Sequence, residues 1–254
     1  MPFAEVDNDR FDERSYTAHS HRHLLVFVLG VFSRKLDSVL ALIGDNCTTN
    51  TATVELLGVP LFGCTAQKLN LAIKRYVDEQ PGARAAIDIV STMSSKTSNL
   101  KAAVALREPT DLAIVRNNST RWPSTFRMLD CLFQIEDELR QVRDVEFPRH
   151  SALQVLRSLF PTLKKFDYVM VGLQDKNISV ESARGTFDDL LEEYPELSQF
   201  LAQDSAIVDN PAFEAAVTKV QNNKASELTS VEERSSSNLK YRKSQKREGL
   251  TMVI

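Results

Sequence analysis

The chain has 254 residues and a formal net charge of −3 at pH 7, and its 43% hydrophobic and 26% charged residues are typical of a globular protein with its own core. The slightly acidic balance does not favour strong non-specific nucleic-acid binding, and the three cysteines without a CxxC pair indicate a reduced intracellular protein. No apolar run is long enough to predict a membrane span, and no glycine-rich phosphate loop, GxSxG or HExxH motif indicates a small-molecule substrate.

The chain opens with a polar edge, residues 1–16, and Thr17 then begins a predicted helix. Apolar residues at helical spacing predict the buried side of this helix: Leu24, Val28 and Val31, with Leu25 and Phe32 beside them.

The next predicted element is a strand. The apolar run Val39–Ile43 is too short for a globular helix and is bounded by Gly44. Such a run is typical of a strand buried on both faces, as in a parallel sheet. Asp45 and Asn46 follow it, at the edge where open α/β sheets bind their ligands.

The following segment completes a βαβ unit. A short helix is predicted from the N-cap candidates 48–50 to Gly58, and Pro60–Cys64 predicts a second strand. A helix with an apolar face at helical spacing comes next. Strand, helix, strand and helix in this order predict a parallel arrangement, and we assign residues 17–82 to this core.

Helical patterns dominate the segment 83–222. The predictions are a long helix across Ala86–Val104, an amphipathic helix across Met128–Val142, a helix that Pro161 interrupts, and a short helix capped by Asn210.

Residues 223–254 form a polar, basic tail that we predict to be disordered. Its cationic cluster, which includes Lys240, Arg242 and Lys243, fits a phosphate contact or a nuclear import signal. The alternative is a charged tail without a partner.

Three blocks carry a resemblance to a known family. They are GDNCTTN, LGVPLFGCTAQKLNLAIK and NNSTRWPSTFRML, in that order along the chain. They resemble the catalytic-region blocks of hAT-superfamily (hobo–Activator type) DNA transposases, across roughly residues 16–232. The resemblance implies an α/β fold with a partial RNase H-like core, in which helices flank parallel strands, and a long, mostly α-helical insertion domain. It also implies a nuclear location.

The resemblance implies two-metal chemistry on three separated carboxylates. Asp45 matches the second of these acids and would be a magnesium ligand. The strand bearing the first acid is expected upstream of the chain's first residue, and the acidic pair beginning at Glu232 is not a convincing third acid. Since magnesium needs several oxygen ligands, we expect no catalytic activity and no cofactor, with Mg²⁺ only if the other acids were supplied.

The second block departs from the family pattern. Where the family has a Cys or Asp, two residues and then His before LNL, this chain has Cys64 and Gln67. Glutamine cannot shuttle a proton near neutral pH, and Cys64 is alternatively a small buried hydrophobic residue. Asn46 and Asn70 are the other motif positions in the first two blocks.

Arg121 and Trp122 match the RW pair of the family, whose tryptophan is implicated in handling DNA at the cleavage site. An indole can stack on an unpaired base, and an arginine can hold phosphate. The alternative is that Trp122 packs between helices while Arg121 pairs with nearby acids.

These observations leave two functions open. The first is a degenerate transposase-derived protein without catalytic activity that retains DNA binding, which predicts a positive groove including Lys68, Lys74, Arg75 and Arg121. The second is a helical interaction module that associates with related transposase chains, which predicts an exposed apolar face on the insertion helices.

Overall fold

The computed structural model describes residues 17–39, 41–98, 110, 112–117, 122–142, 145–175 and 177–236, and these residues are mostly helical. The elements, in chain order, are α1 (Ala18–Val31), β1 (Leu42–Gly44), α2 (Thr48–Leu57), β2 (Leu61–Gly63), α3 (Thr65–Glu79), α4 (Ala83–Thr97), α5 (Trp122–Gln134), α6 (Glu136–Gln141), α7 (His150–Leu173), α8 (Val180–Glu193), α9 (Ser198–Leu201), α10 (Pro211–Gln221) and α11 (Ser230–Ser235). Short 3₁₀ turns lie at Leu36–Ser38, Pro195–Leu197 and Ala225–Glu227. None of the described helices is long and apolar enough to cross a membrane.

The chain divides into two compact units. The first unit comprises residues 1–67 and 203–254, and the second comprises residues 68–202. The N-terminal and C-terminal segments of the chain therefore belong to one unit, and the intervening segment forms the other.

The predicted βαβ unit lies in the first unit. β1 and β2 are parallel, with Leu42 opposite Leu61, Ile43 opposite Phe62 and Gly44 opposite Gly63. This small sheet within a mostly helical molecule fits the predicted α/β class, while the RNase H-like core stays a prediction.

The strands differ in burial. β2 is buried at all its positions. β1 is partly exposed, with 43% of Ile43 accessible, so the prediction that this strand is buried on both faces is wrong. Each strand of this sheet has one described hydrogen-bonded neighbour, so the difference lies in what covers the faces of the strands, and α2 packs against β2.

Helix α2 ends as predicted but begins differently. Gly58 adopts the left-handed conformation (φ 66°) at the C-cap. The N-cap is Cys47, which makes no side-chain capping bond, so the N-cap predicted at 48–50 is wrong.

Helix α1 begins as predicted, because the Thr17 side chain accepts the N–H of Ser20 at 3.2 Å. Its predicted buried side is wrong. Leu29 is the buried residue of this helix, whereas Leu24 and Val31 are exposed. The helix packs on α2, and the side around Leu29 makes the buried contact.

The C-terminal part of the first unit contains α10 and α11. Asn210 caps α10 as predicted, accepting the N–H of Phe213 at 2.9 Å, with Pro211 at the first helical position. α11 lies within the tail that we predicted to be disordered from residue 223, so that prediction is wrong for Ala225–Glu227 and Ser230–Ser235. The reason is local, since Thr229 and Glu232 form a capping box.

In the second unit α4, α5 and α7 pack on one another. α7 is continuous across Pro161, so the predicted interruption is wrong. Pro161 is exposed, and the stripe of buried side chains runs along the helix on both sides of it: Leu153, Leu156, Leu159, Leu163, Phe166, Met170 and Leu173. Packing along this stripe outweighs the hydrogen bond that the proline removes.

The helix predicted across Met128–Val142 is divided into α5 and α6. Ile135 has a non-helical conformation (φ −121°, ψ 25°) but stays buried, so the apolar period survives the break. Three acidic residues follow at once in α6, where they favour the start of a new helix through its dipole. The helix predicted across Ala86–Val104 corresponds to α4, and its residues beyond position 98 lie outside the described residues.

Candidate functional site

The end of β1 holds Asp45, the acid that the resemblance assigns to catalysis. Its side chain is exposed, and the Asn50 amide donates to its Oδ1 at 2.6 Å and to its backbone carbonyl at 3.0 Å. Asn50, in the first turn of α2, thus holds both the side-chain Oδ1 and the backbone carbonyl oxygen of Asp45. These hydrogen bonds order the β1–α2 loop.

Gly44 makes this contact possible. A Cβ at position 44 would lie 2.9 Å from Nδ2 of Asn50, closer than real side chains approach. The absence of a side chain at Gly44 therefore lets Asn50 reach across to Asp45.

Among the described residues, Asp45 is not part of a group of three or more His, Cys, Asp or Glu side chains able to hold a metal ion. Magnesium takes several oxygen ligands. The role of Asp45 as a magnesium ligand and catalytic acid stays a prediction.

Asn46, the neighbouring motif residue, makes a tertiary contact. Its side-chain amide donates to the carbonyl of Ile207, 161 residues along the chain and within the same unit. This bond attaches the loop after β1 to the segment that precedes α10.

Cys64 and Gln67 lie where the second strand leads into α3. The Cys64 N–H donates to the Gly44 carbonyl at 2.7 Å, which extends the β1–β2 ladder, and its side chain is half-buried. Gln67 is exposed on the first turn of α3. Cys64 therefore contributes a backbone hydrogen bond to the sheet, and Gln67 has an exposed side-chain amide.

Asn70 joins the second and third sequence blocks. Its Oδ1 accepts the N–H of Trp122 at 2.7 Å, 52 residues away within the second unit. Trp122 is the first residue of α5, so this N–H has no acceptor within its own helix. Asn70 thus caps α5 from another helix.

Asn117 supports the same helix end. Its Oδ1 accepts hydrogen bonds from the hydroxyls of Thr125 at 2.9 Å and Ser124 at 3.3 Å. Within the third block, NNSTRWPSTFRML, Asn117 therefore holds the first turn of α5 through Ser124 and Thr125.

Trp122 is only 7% exposed. In this conformation it does not offer a face on which a base could stack. Its indole Nε1 is buried and has no hydrogen-bond partner among the described residues. Its burial agrees with the packing alternative, and the DNA-binding role of the tryptophan stays a prediction.

The other DNA-binding candidates are Arg121, Lys240, Arg242 and Lys243, and all four lie outside the described residues. In the predicted positive groove, Lys68 is buried and Arg75 is paired with Glu79 at 2.7 Å. Lys74 is exposed. The described members of the groove therefore include one paired and one buried cation.

Glu232, in the tail segment that we did not accept as the third acid, has a structural role. The Lys219 ammonium donates to both of its carboxylate oxygens at 2.8 and 2.9 Å, and the Thr229 N–H donates to one of them at 2.7 Å. The Lys219 contact, followed by the Thr229 contact, lowers the pKa of Glu232. This carboxylate fastens α11 to α10.

Glu136 forms ion pairs with two arginines in the second unit. Burial raises the pKa of this carboxyl, but hydrogen bonds from Arg140 at 2.8 Å and from Arg157 at 2.5 Å more than reverse the effect, so the pKa is lowered. Glu136 thereby joins α6 to α7.

The largest concentration of exposed apolar residues lies on α1. The nine residues from Leu24 to Phe32 contain no polar side chain. Four side chains of this run define what we call the α1 apolar surface: Leu24 (47% exposed), Val26 (45%), Val31 (65%) and Phe32 (72%).

The α1 apolar surface includes Leu24 and Val31 on the side of the helix away from Leu29, while Val26 and Phe32 flank Leu29 at about 60°. Leu24 and Val31 lie about 140° and about 200° around the helix axis from Leu29. Sequence reasoning had assigned both to the core, because the periodicity marks an apolar face without saying what covers it. On the predicted insertion helices the exposed large apolar residues are Ile89 on α4 and the pair Tyr168 and Val171 on α7.

No family model matches the chain, and none of the curated proteins or solved structures is significantly similar to it. The resemblance to hAT transposases rests on the three sequence blocks and stays a prediction.

Proposed function

We propose that this chain is a non-catalytic interaction module of hAT-transposase descent, which docks a partner protein on the α1 apolar surface. The observation that carries the proposal is the exposure of Leu24, Val31 and Phe32 in a helix with one buried residue, Leu29.

The apolar run favours a helix that is covered on more than one side. A helix that is apolar all round is normally buried, and clustered exposed apolar residues on soluble proteins mark interaction sites. In α1 the packed side accounts for Leu29, whereas Leu24, Val31 and Phe32 remain exposed to a second surface.

The carboxylates support a role without catalysis. Asp45 is engaged by Asn50, and both oxygens of Glu232 are engaged by Lys219. Each acid thus has a structural function that explains its position without a metal.

Descent from a transposase is supported by the way the sequence blocks meet. The Asn70–Trp122 bond connects the second block to the third, and β1 and β2 pair the first block with the second. We propose that this βαβ unit is a remnant of an RNase H-like core. Because the chain resembles hAT transposases, the partner that we propose is a related transposase chain in the nucleus.

Site-specific photocrosslinking tests the proposed function. A benzophenone amino acid is introduced at Val31 in the full chain, which is expressed in its native cells and irradiated. The matched control carries the same group at Asp189, an exposed residue of α8. We expect a discrete protein adduct from position 31 that is absent from position 189, to be identified by mass spectrometry.

The adduct should also disappear when Leu24→Asp is added to the chain labelled at position 31. Identical adducts from both positions, or no adduct from position 31, would contradict an interface on α1.

A further inference from the structure

The charged residues that directly flank the α1 apolar surface along the chain are cations, and the next acid is the exposed Asp37. Arg22 precedes the apolar run, and Arg34 and Lys35 follow it, while residues 17–36 contain no Asp or Glu. Arg34 and Lys35 are exposed, and none of the three cations forms an ion pair with another described residue. The apolar surface therefore has a cation at each end.

We infer that the α1 apolar surface binds an amphipathic helix whose apolar stripe is flanked by acidic residues. This inference rests on the proposed function and specifies the chemistry of the partner. Carboxylates near Arg22 at one end and Lys35 at the other would meet cations that lack acidic partners among the described residues, and complementary charges at the rim set partner choice and register.

The dimensions suit a partner of this kind. At 1.5 Å per residue Arg22 and Val31, the last residue of α1, lie about 14 Å apart along the helix axis. Arg34 lies beside the last turn, where its N–H donates to the Leu29 carbonyl at 2.8 Å. A helix of about four turns covers the apolar run and reaches both cationic ends.

A second copy of the chain fits this surface less well. In an antiparallel pairing of two α1 helices, Arg34 and Lys35 of one copy would approach Arg22 of the other, and in a parallel pairing each cation would approach its own equivalent. Both arrangements place like charges together, which is unfavourable.

A membrane surface is also disfavoured. Helices that lie in a lipid interface carry Lys and Arg along a polar face opposite the apolar one. In α1 the side opposite Leu24 and Val31 holds the buried Leu29 and packs on α2.

The test uses two labelled synthetic helices of about 18 residues with the same leucine stripe, one with glutamate and one with lysine at the flanking positions. Binding of each to the full chain is measured by fluorescence anisotropy. At low salt we expect the acidic peptide to bind at least about tenfold more tightly, since a few exposed charge pairs suffice for that factor. The preference should shrink at about 0.5 M salt.

Variants separate the apolar and charged contributions. Arg34→Glu with Lys35→Glu should abolish or reverse the preference for the acidic peptide, while Lys164→Glu, a charge reversal at an exposed residue of α7, should leave it unchanged. Val31→Asp should remove binding of the acidic peptide, and circular dichroism checks that each variant is folded.

Each other outcome overturns the inference. Equal binding of the two peptides would remove the acidic specificity but leave the docking surface, and hence the proposed function, intact. Failure of both peptides would refute the inferred partner, and the crosslink at Val31 would then decide the proposed function separately. Self-association in sedimentation, or Val31-dependent binding to phosphatidylserine vesicles in place of the acidic peptide, would assign the surface to another occupant.

Discussion

Helices α7 and α1 are both rich in large apolar residues, yet they use them differently. The seven buried apolar residues of α7 recur at spacings of three or four residues and lie within the second unit. α1 carries an uninterrupted apolar run, and Leu29 is its buried residue. The same residue types thus build a core in one helix and a surface in the other.

The difference teaches that the period of the apolar residues matters more than their number. A stripe of the α7 kind is fully covered by neighbours on one side. A continuous run such as that of α1 exceeds what one packed side can cover, and this excess is the sequence signal for an interface.

We expect the greatest difference in stability between substitutions of a phenylalanine in α7 and one at the end of α1. Phe166 is fully buried and makes edge-to-face contacts with Tyr76 and Tyr194, whereas Phe32, at the end of α1, is 72% exposed. Phe166→Ala should lower the free energy of unfolding by about 3–5 kcal/mol, because it opens a cavity in the core. Phe32→Ala should change it by less than about 0.5 kcal/mol. Urea denaturation of both variants measures the contrast, and equal losses would end the distinction between the two helices.

The second prediction is that the Asn70 side chain stabilises the second unit by capping α5. Asn70→Ala removes the acceptor of the part-buried Trp122 N–H and should cost about 1–2 kcal/mol. Asn70→Asp keeps an oxygen at the helix N-terminus and should cost clearly less. The melting temperatures of the two variants and of wild type are compared by thermal unfolding. Equal melting temperatures of wild type and Asn70→Ala would mean that the Asn70–Trp122 hydrogen bond does not hold α5 in place.

The third prediction concerns the loop after β1 in the first unit. Gly44→Ala should displace the Asn50 amide from Asp45 and cost about 1 kcal/mol, the net value of a hydrogen bond. In an Asn50→Ala background the same change should be nearly neutral, because the clashing side chain is gone. A double-mutant cycle measured by urea denaturation tests this coupling. Additive effects would show that the glycine is not needed for that contact.

The last prediction concerns how the stability of the second unit depends on pH through Glu136. The arginines lower the folded-state pKa of Glu136 below its ordinary value of 4.5. Its contribution is therefore complete above that value and is lost as the pH falls through the lower, folded-state pKa. Since this is a pair with partly exposed arginines, we expect a loss of about 1 kcal/mol on acidification. Unfolding curves from pH 7 down to about 3 should show a shallower decline for Glu136→Gln than for wild type. Parallel declines would argue against the ion pair.

Local signals in the sequence predicted a large part of the fold. The βαβ order, the end of α2 at Gly58, and the starts of α1 at Thr17 and of α10 at Asn210 follow from residues close together in the chain. The capping box at Thr229 was equally readable, because a threonine followed three residues later by a glutamate is its signature.

Contacts between distant residues could not be predicted in the same way. Asn70 and Trp122 are 52 residues apart, and Asn46 and Ile207 are 161 apart, so no local pattern marks either pair. The exposure of Leu24 and Val31 was missed for a related reason. Helical spacing shows which residues share a face, whereas the covering of that face depends on the rest of the fold.

The central claim is that the outward side of α1 serves binding and not the chain's own folding. The most direct measurement is the free energy of unfolding of the double variant Leu24→Ser/Val31→Ser beside Leu29→Ser on the same helix. The account predicts that Leu29→Ser loses about 2–4 kcal/mol, since it removes a buried side chain. The double variant should stay within about 1 kcal/mol of wild type. A loss of several kcal/mol in the double variant would show that Leu24 and Val31 belong to the chain's own core, and would contradict the interface on α1.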